Sequence, residues 1–293
     1  MQISKLIFKI IIKISLFLNN LKEDFLEHNG YKIAYLKSRK FKNSDTIIFI
    51  HGLNDQKETW LELIKKLKGK NIIAIDLLGS GNSDKVLDFD YSIYNQANFL
   101  EEVIKKIALQ NGINSYSLAG HSMGGGIALI LANRLNLNNL YLFAPYGLDI
   151  KESRIKKRAI KNHLGKNIWK NICTIDKLKE VLADLYYKVP NFPNFVLELL
   201  VAKKCKYQKL ESIKIDALVD DNLNIKDNLE KEALKVSTNC YIFWGKEDFV
   251  IDVASAYKYN ELIKNSKLFI YEKCGHMVHI ERAKEVAKEL QNS

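Results

Sequence analysis

Apolar residues recur along this chain in two rhythms. Short runs, apolar but for Thr46, Asn71, Ser115, Ser117 and Lys267, occupy residues 46–50, 71–75, 115–119, 140–144, 240–244 and 267–271. Runs this short and this largely apolar predict strands buried on both faces of a mostly parallel sheet. Between them lie longer stretches with apolar positions at helical spacing, at residues 58–67, 93–110, 127–132, 253–263 and 278–290. Alternation of the two predicts an α/β architecture with helices on both faces of the sheet. Near the start, residues 25–28 and 31–37 flank Asn29-Gly30, a pair suited to the positive-φ positions of a two-residue hairpin turn.

The rhythm changes twice. Residues 148–236 are lysine-rich and helical in pattern, hold Pro190 and Pro193, and contain no buried-strand run. They predict a helical cap inserted between two strands. The chain then divides into a helix at 1–22, a core at 23–147 and 237–293, and the cap at 148–236. Residues 6–18 form an apolar stretch interrupted by Lys9 and Lys13, short for a bilayer span. With Lys5 these lysines make one stripe on an otherwise apolar helix. That pattern predicts a helix lying in a membrane interface, its lysines reaching the headgroups. Packing on this protein or on a partner subunit, and an uncleaved signal anchor, are the alternatives. No small-residue cleavage site follows it.

Composition adds little to this picture. The net charge is +11 and the pI about 9.2, but arginine stands only at positions 39, 134, 154, 158 and 282. A solvated lysine surface accounts for the excess, and no nucleic-acid-binding pattern accompanies it, so nucleic acid is not an expected partner. Cys173, Cys205, Cys240 and Cys274 lack C-x-x-C spacing and read as free, mostly buried thiols of a reducing, cytoplasmic compartment. No Cys/His cluster has metal-ligand spacing. The glycine-rich loop at 76–84 matches neither G-x-G-x-x-G nor a Walker motif.

Candidate chemistry centres on Gly120-His121-Ser122-Met123-Gly124. A strand precedes this stretch and a helix follows it, the context in which G-x-S-x-G is a nucleophile elbow. A serine hydroxyl needs a base to take its proton, and the base needs a carboxylate to hold its tautomer. In α/β sheets such groups collect on loops at the carboxyl ends of strands. Asp248 follows the first strand after the cap, with Glu247 and Asp252 as rivals, and Asp252 reads better as a helix N-cap. Of the six histidines, His276 alone sits on a loop after a strand beyond that acid, while His279 reads as a surface or supporting imidazole. The order is Ser, Asp, His. Oxyanion donors are expected from the backbone N–H groups of Met123 and Leu53, each contributing roughly 3 kcal/mol in such sites. His51 would brace the Leu53 loop, and His121 would support the elbow.

Taken in order, His51-Gly52, Asp76 with Gly79-Ser80-Gly81-Asn82-Ser83, the elbow, Gly245-Lys246-Glu247-Asp248 and Gly275-His276 resemble the α/β-hydrolase fold family over about residues 25–290. The resemblance implies a mostly parallel eight-stranded sheet flanked by helices. Within that family the chain is most similar to the membrane-associated monoacylglycerol lipases. Tyr91-Ser92-Ile93 with Gln96, Pro145-Tyr146-Gly147-Leu148, Asp252-Val253 and Glu281-Arg282 carry that likeness. Such relatives have an N-terminal membrane segment, which residues 1–20 echo in a shorter, lysine-studded form.

The expected activity is hydrolysis of a small or lipid-like carboxylic ester through an acyl-enzyme, needing neither cofactor nor metal. Phe192, Phe195, Val196, Leu199 and Leu200 of the cap are candidates for an acyl-chain pocket, with plain packing of cap helices as the alternative. Carbon–carbon bond hydrolysis, thioester hydrolysis or acyl transfer by the same triad is the competing reading, and a non-enzymatic binding scaffold a third. Dehalogenase and epoxide-hydrolase chemistry would need an aspartate where Ser122 stands.

Overall fold

The computed structural model describes residues 2–42, 44–149, 151 and 153–293. Eight strands form one sheet: β1 (Leu21–His28), β2 (Tyr31–Ser38), β3 (Thr46–Ile50), β4 (Asn71–Ile75), β5 (Tyr116–His121), β6 (Leu140–Phe143), β7 (Cys240–Gly245) and β8 (Ser266–Tyr271). Their spatial order is β1-β2-β4-β3-β5-β6-β7-β8, antiparallel at β1–β2 and β2–β4 and parallel from β4 to β8. Asn29 and Gly30, at φ 51° and 78°, make the hairpin turn between β1 and β2.

Successive residues of a strand point to opposite faces. In β3, Ile48 and Ile50 enter the core on one face with Ile73, Ile75 and Leu118, while Ile47 and Phe49 enter the other with Ala74 and Ala119. The first face is covered by α3 (Ile93–Gln110), α4 (Met123–Ala132) and α10 (Ala254–Leu262); the second by α2 (Leu61–Ile64), α11 (Val278–Glu281) and α12 (Ala283–Gln291). The expected closing helix at 278–290 is therefore two helices. They part at Arg282, whose φ of −124° leaves the helical region.

The cap comprises α5 (Arg154–Lys161), α6 (Ile175–Leu185), α7 (Asn194–Lys206), α8 (Gln208–Leu218) and α9 (Glu230–Lys235). Leu178, Val181, Leu182, Tyr186 and Leu197 form its own apolar cluster, which Met277 of the core joins. Phe192 and Leu200 pack against that cluster. One expectation fails here. Cys173 and Cys205 are not free thiols but a disulfide across 32 residues, their Cα atoms 4.8 Å apart. The two cysteines are distant in sequence, and only the turn of the chain between α6 and α7 brings them together. Cys240 and Cys274 are free and buried, as expected. With one pair oxidised, the cysteines no longer argue for a reducing compartment.

At the N-terminus, α1 (Gln2–Leu18) rests on β1 and α7 through one stripe, with Leu16 buried and Ile12 packed on the core. Leu6, Ile7, Ile10, Ile11, Ile14, Phe17 and Leu18 stay exposed, Leu18 at 75%. Among the described residues no helix is long and apolar enough to cross a membrane. The side chain of Lys5, part of the expected lysine stripe, lies outside the described residues; Lys9 and Lys13 are exposed.

Candidate active site

The elbow follows from sterics. Ser122 links β5 to α4 at φ 51° and ψ −119°, a conformation that costs a non-glycine residue of order 1–3 kcal/mol. Neighbouring backbone closes in around it. A Cβ on Gly120 would lie 2.2 Å from the Gly124 carbonyl oxygen, and one on Gly124 would lie 2.4 Å from those of Ile50 and His51. Only glycine fits either position. The Ser122 N–H donates to Phe143 O at 2.9 Å and its carbonyl accepts from Tyr146 N and Gly126 N, so three segments hold the strained residue.

The loop after β3 lies directly against the serine. A Cβ on Gly52 would sit 3.3 Å from Ser122 Cβ and 3.0 Å from His121 Nδ1. His51 is fully buried and braces this loop: its Nδ1 donates to Gly52 O at 2.7 Å, and its Nε2 accepts from Leu77 N at 3.1 Å. Burial holds its pKa below the ordinary imidazole value. Leu53 follows in the same turn, and Met123 opens α4. Among the described residues, neither N–H donates to another protein group.

Asp248 and His276 meet. Asp248 Oδ2 lies 2.7 Å from His276 Nδ1, and both side chains are buried. Asp248 Oδ1 accepts from the N–H groups of Val250 and Ile251 at 2.8 and 3.0 Å, which aims the other oxygen at the imidazole. The rivals have other work. Glu247 exchanges bonds with Cys274, its Oε2 accepting from Cys274 N at 3.0 Å. Asp252 accepts from Ala254 N at 2.9 Å just ahead of α10, whose N-cap is Val253 rather than Asp252 as expected. Ser122 Oγ hydrogen-bonds to no group among the described residues.

Two supporting histidines that the sequence offered take definite places here, and a third contribution, from the cap, went unseen. His121 Nε2 lies 3.1 Å from the His276 carbonyl oxygen, and its ring packs 4.7 Å from that of His276 and 4.5 Å from that of His279. His279 is fully buried rather than at the surface; its Nε2 bonds Thr59 Oγ1 at 3.0 Å. Burial, with the charge of His276, pushes the His279 pKa down to about 3, and burial takes His121 well below the ordinary value. The cap also grips the His276 loop. Leu185 O accepts from the N–H groups of His276 and Met277, and Glu281 accepts from Gly275, Tyr187 and Lys188.

Beneath the loop after β4, buried Lys57 bonds Asp76, Glu23 and Glu58 at 2.8, 2.8 and 2.9 Å. Burial pushes the Asp76 carboxyl up, but Lys57, His51 and the Asn82 N–H together outweigh it and the net shift is down. Asp76 also accepts from Asn82 N at 2.7 Å, so its ion pair shapes the glycine loop.

Residues 45–141 match the model of a family described as the alpha/beta hydrolase fold. Monoacylglycerol lipase abhd6-A of Xenopus laevis is 28% identical over 272 residues, covering 90% of this chain and 79% of that protein. Monoacylglycerol lipase ABHD6 of Homo sapiens is 26% identical with the same coverage. The crystal structure of a membrane phospholipase A, described as a bacterial virulence factor, superposes with a TM-score of 0.87 at 24% identity, over 99% of this chain and 91% of that one. At that identity the superposition speaks for the fold alone.

Proposed function

Because the chain has the α/β-hydrolase fold, we propose that it is a serine hydrolase of carboxylic esters, acting on a monoacylglycerol or similar lipid-like ester. The observation that carries this reading is the buried Asp248–His276 pair, whose imidazole packs 4.7 Å from the ring of His121, the residue before a serine held at φ 51°. The names of the relatives, monoacylglycerol lipases, support the substrate class.

In the first half-reaction Ser122 Oγ attacks the ester carbonyl carbon while His276 Nε2 takes its proton. Asp248 holds His276 with Nδ1–H toward the carboxylate and stabilises the imidazolium. The N–H groups of Leu53 and Met123, free of protein partners, hold the oxyanion. His276 then returns the proton to the departing alcohol. In the second half-reaction water attacks the acyl-enzyme with His276 as base, releasing the acid and Ser122. The Ser122–His276 bond forms as substrate settles, since such contacts are often loose without ligand.

The exposed apolar face of α1 supports peripheral membrane contact. It adjoins α7, so a bilayer under α1 would lie beside the cap. A fluorophosphonate probe tests the core of the reading. It should label the full chain once, and Ser122→Ala should abolish labelling. Equal labelling of that variant would end the proposal.

A further inference from the structure

Four lysines converge where the cap meets the loop after β4. Lys214, on α8, is buried, and its Nζ donates to Ser80 Oγ at 3.0 Å and Gly79 O at 3.3 Å. Lys85 donates to Ser80 O at 3.0 Å, to Gly81 O at 2.9 Å and to Ser83 O. Two ammonium groups thus meet on one serine. From α7, Lys203 bonds the Gln56 side-chain oxygen, and the charges of Lys204, Lys85 and Lys203 all bear on Lys214.

The carboxylates nearby do not match this charge. Glu211 lies 3.5 Å from Lys204 and also faces Lys214. Asp84 and Asp76 bear on Lys85, but Asp76 is already paired with Lys57. Among the described residues Lys214 has no carboxylate within ion-pair distance. Burial takes Lys214 down to about 7, and burial with the charge of Lys203 takes Lys85 down to about 8.

For packing alone, methionine would fill the Lys214 position without desolvating a charge. Four converging ammonium groups, one of them buried against a hydroxyl and a carbonyl, suit a multivalent anion, and lysine binds phosphate as a point charge. The position adds to this. Gln56 lies in the loop after β3, close behind Leu53, and Lys214 is near enough for its charge to reach His51. An anion here lies beside the loops after β3 and β4, where α7 and α8 of the cap meet them.

We propose that Lys203, Lys204 and Lys214 form a phosphate-binding site at the seam of core and cap, with Lys85 held behind it by three backbone carbonyls and adding its charge. Its ligand is a phosphate group, either on the glycerol of a monoacyl ester substrate or on a free phosphate acting as an effector. The substrate form rests on the ester-hydrolase reading; the binding site itself does not.

The experiment has two arms. Calorimetry of the full chain with inorganic phosphate and with glycerol 3-phosphate reads the site directly. Hydrolysis of a monoacylglycerol and of its phosphate, with the same acyl chain, reads the ratio of their kcat/KM. We expect saturable binding, and a fall of about tenfold in both affinity and ratio for Lys214→Met and for Lys203→Gln, the loss of one charge-assisted bond. Lys203 is only half-buried, so its variant reads the site even where Lys214→Met, followed by thermal melting, fails to fold. Saturable binding with an unmoved ratio keeps the site and assigns it to free phosphate. No binding of either anion, together with a ratio neither variant changes, overturns the proposal. Failure to cleave any ester removes the ester reading alone, and calorimetry then decides.

Discussion

His121 Nε2 meets the carbonyl oxygen of His276 at 3.1 Å, which ties the residue before the serine to the loop that supplies the imidazole. The same ring abuts Gly52, so it touches the serine turn, the His276 loop and the loop after β3 at once. Truncating it leaves each loop folded but loosens their spacing. His121→Ala should lower kcat by about tenfold or more, the equivalent of one lost buried hydrogen bond, with a smaller change in KM. Steady-state kinetics on a soluble short ester check this. An effect on KM alone would make His121 a packing residue.

Asp248 and Glu247 separate cleanly by geometry. Asp248→Asn keeps the shape but favours the wrong imidazole tautomer, and should cost roughly 10⁴-fold in kcat. Glu247→Gln weakens one bond to Cys274 N and should cost about 1 kcal/mol of stability with kcat kept. Parallel kinetics and urea unfolding distinguish them. Matching losses of kcat would undo the assignment of Asp248 over its neighbour.

His279 gives a pH signature. Its folded pKa is depressed to about 3 from an ordinary value of 6.5, so the unfolded chain takes up a proton there that the folded chain refuses. Its contribution is present above pH 6.5 and is lost as pH falls toward 3. His279→Gln should flatten the slope of unfolding free energy against pH between those limits by about 1.4 kcal/mol per unit. Denaturant unfolding at pH 6, 5 and 4 measures it, and an unchanged slope would show that His279 protonates in the folded state.

Much of this was legible in the chain. Residues 46–50 and 71–75 announced buried parallel strands because, beyond Thr46 and Asn71 at their starts, every position is apolar on both faces. The elbow was legible because the turn tolerates only glycine at 120 and 124. Asp248 could be ranked above its neighbours from its place after a strand. Other features depend on tertiary approach. Nothing local brings Cys173 to Cys205, sets the ring of His279 against that of His121, or directs Lys214 from the cap onto Ser80. Glu281 was visible as a family likeness, but its grip on Tyr187 and Lys188 needed the cap in place.

Helix α1 makes the membrane proposal separable from the chemistry. Deleting residues 1–20 should release the protein from anionic lipid vesicles in a flotation assay while hydrolysis of a soluble short ester continues. Persistent binding after the deletion would place the membrane contact elsewhere.

Strands β6 and β7 are neighbours in the sheet, with Leu140 opposite Cys240, yet the whole cap separates them in sequence. Their pairing closes the longest loop between adjacent strands of the fold, and loop closure is paid before the contact rewards it. On the ribosome, β1 to β6 and the strained serine emerge and can pack well before the residues of β7 and β8 exist. The proposed acid and base, Asp248 and His276, arrive on the loops that follow those last strands. A chain cut short in the cap would therefore lack both groups that, in the proposed mechanism, activate Ser122, so on that reading reactivity waits until synthesis is nearly complete.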